Sequence, residues 1–244
     1  MLEYDEPPVH SWSYTRLRDF EQCPYRVALD SVEKRPKPEQ ADDGPLNRGI
    51  RIHDAAEAYI KGEREDIIEE LDKPKVVEVL DFYREMFPSG KVIVEEDWGF
   101  TQSWTKTGWW DEDVWLRLKI DAGVPLDDEG TAFLLDDWKS GKSFGKEVKT
   151  YEQGCLYSIG IMFRNPSVQS VKTRFVYTDE NKIKEFPVFE RVKMPPLIKR
   201  FTQRAMRLTL CTKFEAKPNR GNCHFCPFGP NAQGNNSCPH GIPW

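Results

Sequence analysis

Three side chains near the middle of the chain are of the types that together hydrolyse a phosphodiester: Asp121, Asp137 and Lys139. Asp121 follows the alternating run VWLRLKI, and after the acidic turn PLDDEG the next apolar run ends in Asp137-Trp138-Lys139. Read as two paired strands, these runs bring two carboxylates and an amine to the edge of a sheet. Mg or Mn takes one or two protein carboxylates and keeps positions for phosphate oxygens and water. A pair of ions about 3.5–4 Å apart would stabilise both the attacking and the leaving oxygen. Lys139 would hold or polarise the attacking water, since a cation favours the hydroxide form. Taken singly, Asp121 or Asp137 reads better as an ordinary solvated turn, because such short patterns recur by chance. Asp136 is a decoy, since strand alternation sends it to the face opposite Asp137.

Other chemistry-bearing residues need a helix to place them. His53 and Glu57 stand four apart in LNRGIRIHDAAEAYIKG and share one helical face, where a half-buried structural histidine is the commoner outcome. Gln153 and Tyr157 stand one turn apart in KEVKTYEQGCLYSIGIMF, as surface or core residues or as a substrate-facing pair. Six cysteines occur, with Cys223 and Cys226 forming C-x2-C, Cys238 eleven residues further on and Cys23-Pro24 two hundred residues upstream of Cys223. Cys211, Cys223, Cys226 and Cys238 read as C-x11-C-x2-C-x11-C, which suits a Zn site within the C-terminal part. Cys211 also falls on an apolar helical stripe, and Cys155 beside Leu156 reads as buried.

The elements around these residues follow from period and punctuation. A helix over 11–30 is interrupted at Cys23-Pro24, with Ser11 or Ser13 as N-cap. Residues 31–45 form a charged, Pro-rich loop, and helices follow from about Leu46 and over Lys75–Met86. Strands are expected over 91–98, 114–124 and 131–139, then the 146–163 helix, then strands over 167–178 and 182–190. A long helix over 193–214 opens at Pro195-Pro196, and the Gly-, Pro- and Asn-rich tail beyond it has no periodicity. No internal repeat or linker divides the chain, so one domain over 1–244 is expected.

The 244 residues carry 39 % hydrophobic side chains, enough for a sizeable core without disulfides. Forty acidic against 35 basic residues give a net charge of −5, so any phosphate-binding surface must be local. Lys139, Lys142, Lys146 and Lys149 form one basic run and Arg16, Arg18 and Arg26 another; both read equally as solvated faces. Trp104, Trp109 and Trp110 would stack unpaired bases or fill the base of a hairpin. No apolar stretch approaches a membrane span, and the acidic, Pro-rich start MLEYDEPPVH is unlike a signal peptide. The expected location is the cytoplasm, or the host cytoplasm for a phage-encoded chain, where thiols stay reduced and metal ligation outranks disulfides.

Taken in order, R-G-I-R-I-H-D-A-A-E with His53, K-I-D with Asp121, L-L-D-D-W-K-S-G-K with Asp137 and Lys139, and Q-G-C-L-Y with Gln153 and Tyr157 resemble the PD-(D/E)xK nuclease superfamily. The resemblance is to its RecB/AddB-type exonuclease domain, also found in CRISPR-adaptation exonucleases, and runs from about Ser11 to Cys238. It implies an α/β fold with a restriction-endonuclease-like mixed central sheet flanked by helices. It further implies Mg or Mn held by His53, Asp121, Asp137 and the backbone carbonyl of Trp138, with Lys139 catalytic and Gln153 and Tyr157 beside the DNA. Glu57 and Glu95 resemble acidic positions near such sites and rank second. One distant cysteine plus three near the C-terminus is the arrangement of the family's iron–sulfur members. That implies a structural [4Fe-4S] cluster on Cys23, Cys223, Cys226 and Cys238, joining the chain ends, with Zn as the alternative. The eleven-residue gap before Cys238 is longer than the family's usual spacing. The implied activity is metal-dependent exonucleolytic hydrolysis of single-stranded DNA or DNA ends, in replication, recombination, repair or CRISPR adaptation. With no G-x4-G-K-[ST] motif in the chain, duplex substrates call for free ends or a partner such as a helicase, recombinase or CRISPR adaptation protein. The contrasting reading is a non-catalytic DNA-binding or assembly module.

Overall fold

The computed structural model describes residues 1–39, 44–231 and 234–243. In chain order the elements are β1 (Leu2–Glu3), α1 (Tyr14–Gln22), α2 (Pro24–Val27), α3 (Pro45–Ile60), α4 (Pro74–Met86), β2 (Ile93–Phe100), β3 (Lys106–Thr107), β4 (Leu116–Pro125) and β5 (Ala132–Lys139). There follow α5 (Glu147–Arg164), β6 (Ser170–Tyr177), β7 (Lys182–Glu185), β8 (Phe189–Glu190), α6 (Met194–Thr209), β9 (Lys213–Phe214) and α7 (Arg220–His224). The main sheet runs β3-β2-β4-β5-β6-β7, with β8 also on β6. β5 and β6 are parallel and their neighbours antiparallel, so the sheet is mixed, with α5 as the crossover.

Helices cover both faces. Ile52, Ala55, Ala56 and Ile60 of α3 recur at helical spacing and pack with Val76, Val79, Leu80 and Tyr83 of α4 on one face. The other face is covered by α5, buried almost continuously from Glu152 to Met162, and by Leu17 of α1 and Phe201, Ala205 and Leu208 of α6. The implied α/β architecture, a central mixed sheet flanked by helices, is the one observed.

Several expectations need correction. The last long helix stops at Thr209, so Cys211 lies beyond it, and Lys213–Phe214 leaves to pair antiparallel with Leu2–Glu3. The expected strand over 182–190 is two short strands parted at Phe186-Pro187-Val188, because Pro187 has no N–H for a ladder. The tail holds the short helix α7, capped by Asn219, whose side chain accepts from Asn222 N at 2.8 Å. The break at Cys23-Pro24 and the Ser13 cap are as expected, with a π turn over Ala28–Val32 after α2. Part of the expected 31–45 loop, residues 40–43, lies outside the described residues, as do 232, 233 and 244 of the tail.

Candidate active site

β4 and β5 pair from Pro125–Phe133 to Ala122–Asp136 and then separate. At that fork the buried Asp121 carboxylate accepts the N–H of Trp138 at 2.8 Å, satisfying a donor the ladder no longer reaches. Asp137, also buried, faces α5, whereas Asp136 turns to α4 as alternation requires. Asp136 accepts from Arg174 Nε at 2.7 Å, from Arg174 Nη2 at 2.6 Å and from the Tyr83 hydroxyl at 2.7 Å. Trp138 packs its indole among the α3 and α4 side chains.

Opposite Asp121 on β2 stands Glu95, at the rung missing between Val94–Ala122 and Glu96–Ile120. Val94, Ala122 and Val124 pack with α3 and α4, whereas Trp98, Phe100, Leu116, Leu118 and Ile120 pack with α5 and α6. All are even-numbered, so both strands switch faces at the Glu95–Asp121 rung, which strict alternation forbids. Glu95 absorbs the switch with φ of 48°, a left-handed conformation rare outside Gly, Asn and Asp. The twist turns both carboxylates toward α3, where His53 Nδ1 meets Glu95 Oε1 at 2.8 Å and Asp121 Oδ2 at 3.6 Å. Among the described residues, ligand atoms of His53, Glu95 and Asp121 gather within 4.8 Å of one another.

On the α5 side, Lys139 Nζ lies 2.6 Å from Asp137 Oδ2, and Gln153 Nε2 donates to Asp137 Oδ1 at 3.3 Å and to the Tyr157 hydroxyl at 2.6 Å. The structure therefore brings together His53, Asp121, Asp137, Trp138, Lys139, Gln153 and Tyr157. It adds Glu95, which ranked second from the sequence. Glu57 is instead engaged with Lys61 one turn along α3, at 2.5 Å.

The electrostatics are those of a crowded anionic pocket. Burial, then repulsion from Asp137, pushes the Asp121 carboxyl up to about 8, against the pull of His53. Burial would lower His53, but Asp121, Glu95 and Asp137 outweigh it and raise the imidazole to about 9. Burial likewise opposes Lys139, whose ammonium Asp137 and Asp121 hold above its usual range. Burial would raise Glu95, yet His53 and Lys119 hold it below the usual carboxylate range. Carboxylate oxygens and an imidazole are the donor set that Mg or Mn accepts, and the excess of negative charge is what a bound cation would neutralise.

The family model of the PD-(D/E)XK nuclease superfamily matches residues 11–230. The chain belongs to that superfamily. Among solved structures, SSO0001 is 14 % identical at a TM-score of 0.43, over 96 % of this chain and 89 % of that one. A Eubacterium rectale protein named "Putative exonuclease" is 11 % identical at a TM-score of 0.44, over 82 % of this chain and 81 % of that one. No curated protein matches. No helix among the described residues is long and apolar enough to cross a membrane.

A second constellation lies where the N-terminal helices meet the tail. Cys23, Cys223, Cys226 and Cys238 line one small cavity with Tyr25, Leu29 and His240. Lys217 N donates to Cys23 Sγ at 3.5 Å, Asn222 Nδ2 to Gln22 O at 2.8 Å and Arg35 Nη1 to Ser237 O at 2.9 Å, tying the tail to α1 and its following segment. Cys211 stands apart, its thiol donating to Lys213 O at 3.3 Å, and Cys155 is buried in α5. The four-thiol cavity thus takes Cys23 and leaves out Cys211. Among the described residues, no three of these thiols lie within 4.8 Å of one another.

The remaining nucleic-acid candidates divide. Trp104 is buried and donates to Thr202 Oγ1 at 3.0 Å; Trp110 is exposed, with the Arg117 guanidinium 5.4 Å from its ring and 5.6 Å from that of Trp109. Arg26 pairs with Asp19 at 3.3 Å and Arg18 with Glu21 at 3.9 Å, which reduces the charge that α1 and α2 offer a phosphate.

Proposed function

We propose that this nuclease is a Mg- or Mn-dependent deoxyribonuclease, acting exonucleolytically on single-stranded DNA or DNA ends. The observation that carries the reading is the fork between β4 and β5, where Asp121 and Asp137 stand between His53 on one side and Lys139 on the other. His53, Asp121, Asp137 and the Trp138 carbonyl would hold the ion, which supplies Lewis acidity toward the scissile phosphate and lowers the pKa of water. Asp121 is fixed by the Trp138 N–H, and Asp137 by Lys139 and Gln153, so the carboxylates are oriented before substrate arrives. Lys139 keeps its proton beside two carboxylates; its ammonium orients the attacking water and offsets charge growing on the phosphoryl oxygens. Gln153 and Tyr157 brace Asp137 from α5, on the side where the DNA would pass. Cys23, Cys223, Cys226 and Cys238 would hold a [4Fe-4S] cluster, or Zn, that staples the tail to α1 and α2. Duplex substrates would need a helicase, recombinase or adaptation partner to expose an end.

The test is digestion of single-stranded DNA labelled at either end, with Mn or Mg, by wild type and Asp137→Ala. Metal-dependent loss of label that the variant lacks supports the reading and reveals polarity. Folded, metal-loaded wild type that cuts no DNA points instead to a binding or assembly module.

A further inference from the structure

The loop between β5 and α5, Ser140 to Lys146, carries two lysines, no acidic residue and one aromatic ring, Phe144, which is 89 % exposed. A lone exposed ring is ordinary on a protein surface; the loop around this one sets it apart. The loop is built to present it. Gly141 and Gly145 bracket the tip at φ of 90° and 73°, a region that L side chains avoid. Ser143 is buried and accepts from Lys182 Nζ at 2.9 Å, so its neighbour Phe144 turns outward. Gly141 N donates to Asp179 Oδ2 at 2.8 Å, and Asp179 also pairs with Arg48 of α3.

That shared aspartate makes the loop and the first turns of α3 neighbours; the loop leaves β5 directly after Lys139, and α3 carries His53. Both present exposed apolar side chains there: Phe144 and Val148 on one, Leu46 and Ile50 on the other. Ile50 is one helical turn before His53, and Phe144 five residues after Lys139. Lys142 and Lys146 supply positive charge on the same loop, the Lys146 ammonium lying 3.8 Å from where a Cβ on Gly141 would stand. Of the nearby acids, Asp179 pairs with Arg48 and Glu147 with Lys184 at 3.3 Å, while Glu180 faces Ser143, Lys182 and Lys142 and leaves Lys146 as the less opposed cation.

We propose that Phe144 stacks on an unpaired base of the substrate strand while Lys142 and Lys146 contact the phosphates beside it. Base faces are covered in a duplex and free in single strands and at ends, and stacking tolerates any base. An apolar ring flanked by two lysines fits that occupant better than it fits a protein surface. The inference rests on the nuclease reading and specifies how the same site selects an unpaired strand.

The test compares wild type, Phe144→Ala and Phe144→Trp on a single-stranded oligonucleotide, on the same oligonucleotide with one abasic residue moved along it, and on bis(p-nitrophenyl) phosphate, with Asp137→Asn as the dead control. Stacking is worth about 1–3 kcal/mol per base, so Phe144→Ala should raise KM on the strand about 5- to 150-fold and leave the base-free substrate unchanged. Wild type should be penalised by the abasic residue at one register only; Phe144→Ala should lose that register and Phe144→Trp restore it. Phe144→Ala with wild-type KM and an intact register overturns the proposal, as does a variant whose only defect is loss of self-association. If wild type binds the strand without cutting it, the nuclease reading fails separately, and the anisotropy-measured affinity of Phe144→Ala against wild type decides the stacking. A wild type that neither binds nor cuts the strand overturns both.

Discussion

Two adjacent aspartates on β5 should fail in opposite ways. Asp136 is fully buried and accepts three hydrogen bonds, two from Arg174 and one from Tyr83. Asp136→Asn keeps the shape but leaves the guanidinium without its counter-charge, and breaking a buried pair from one side costs about 3–5 kcal/mol. Arg174 retains 17 % exposure, so water recovers part of the loss and the expectation is near the lower end, about 3 kcal/mol. For a chain of this size each kcal/mol moves Tm by about 2–4 °C, which gives a fall of about 6–12 °C. Asp137→Asn instead relieves the repulsion on the Asp121 carboxyl while removing the 2.6 Å partner of the Lys139 ammonium, which keeps Asp121 as a counter-charge, so the two effects oppose each other. Its Tm in EDTA should stay close to wild type, while Mn-dependent cleavage should fall by about two orders of magnitude or more, since even an outer partner of a metal ligand is worth about 10- to 100-fold. The assay is a circular-dichroism melt in EDTA paired with cleavage under Mn at a temperature where every variant is folded. A destabilised Asp137→Asn, or an Asp136→Asn that melts like wild type, refutes the division of the two faces.

Other outcomes follow from the same geometry. Glu95→Gln should weaken Mn binding by calorimetry about tenfold or more and also lower the EDTA melt, since His53 and Lys119 lose a counter-charge; unaltered affinity with a lower melt makes Glu95 a structural brace. His53 is raised from 6.5 to about 9, so its contribution is complete below about pH 6.5 and is lost as pH rises through 9. Asp121, raised from 3.8 to about 8, has the same sign, its contribution fading upward from about pH 4. The metal-free melt should therefore fall between about pH 6.5 and 9 while Mn affinity rises as the ligands deprotonate; a melt that rises over that window contradicts both shifts. Cys23→Ser should lower bound iron or zinc and the melting temperature, whereas Cys155→Ser and Cys211→Ser should leave metal content intact by elemental analysis.

β5 and α5 were legible because each obeys one period over its whole length. β5 alternates cleanly, so Asp136 and Asp137 were assigned opposite faces from the sequence alone, and the contacts of both agree with it. Gln153 and Tyr157 are one helical turn apart and are hydrogen-bonded, because i and i+4 side chains on α5 must meet. Short pairings between distant segments, such as β1 with β9, leave no local signal, since two residues are too few to show alternation.

Glu95 was ranked second for a more specific reason. Alternation through KVIVEEDW puts Glu95 with Ile93 and Asp97 and gives no cause to aim it at Asp121. Only the left-handed residue within β2, with the matching change of face on β4, lets the paired strands turn their acids to α3. A glutamate gains nothing from that conformation intrinsically, and holding it there costs on the order of 1–3 kcal/mol. The fold retains that cost at the one rung where a carboxylate comes within 2.8 Å of His53 and shares a ligand cluster with Asp121. Within the described strands, that conformation falls only at the rung where the donor set closes, which ties it to that set. Glu95→Gly should therefore remove Mn affinity yet melt higher in EDTA than Glu95→Ala, which loses the same His53 and Lys119 contacts but keeps the strain; a Gly variant that melts no higher than the Ala variant would show that the bend stores no strain.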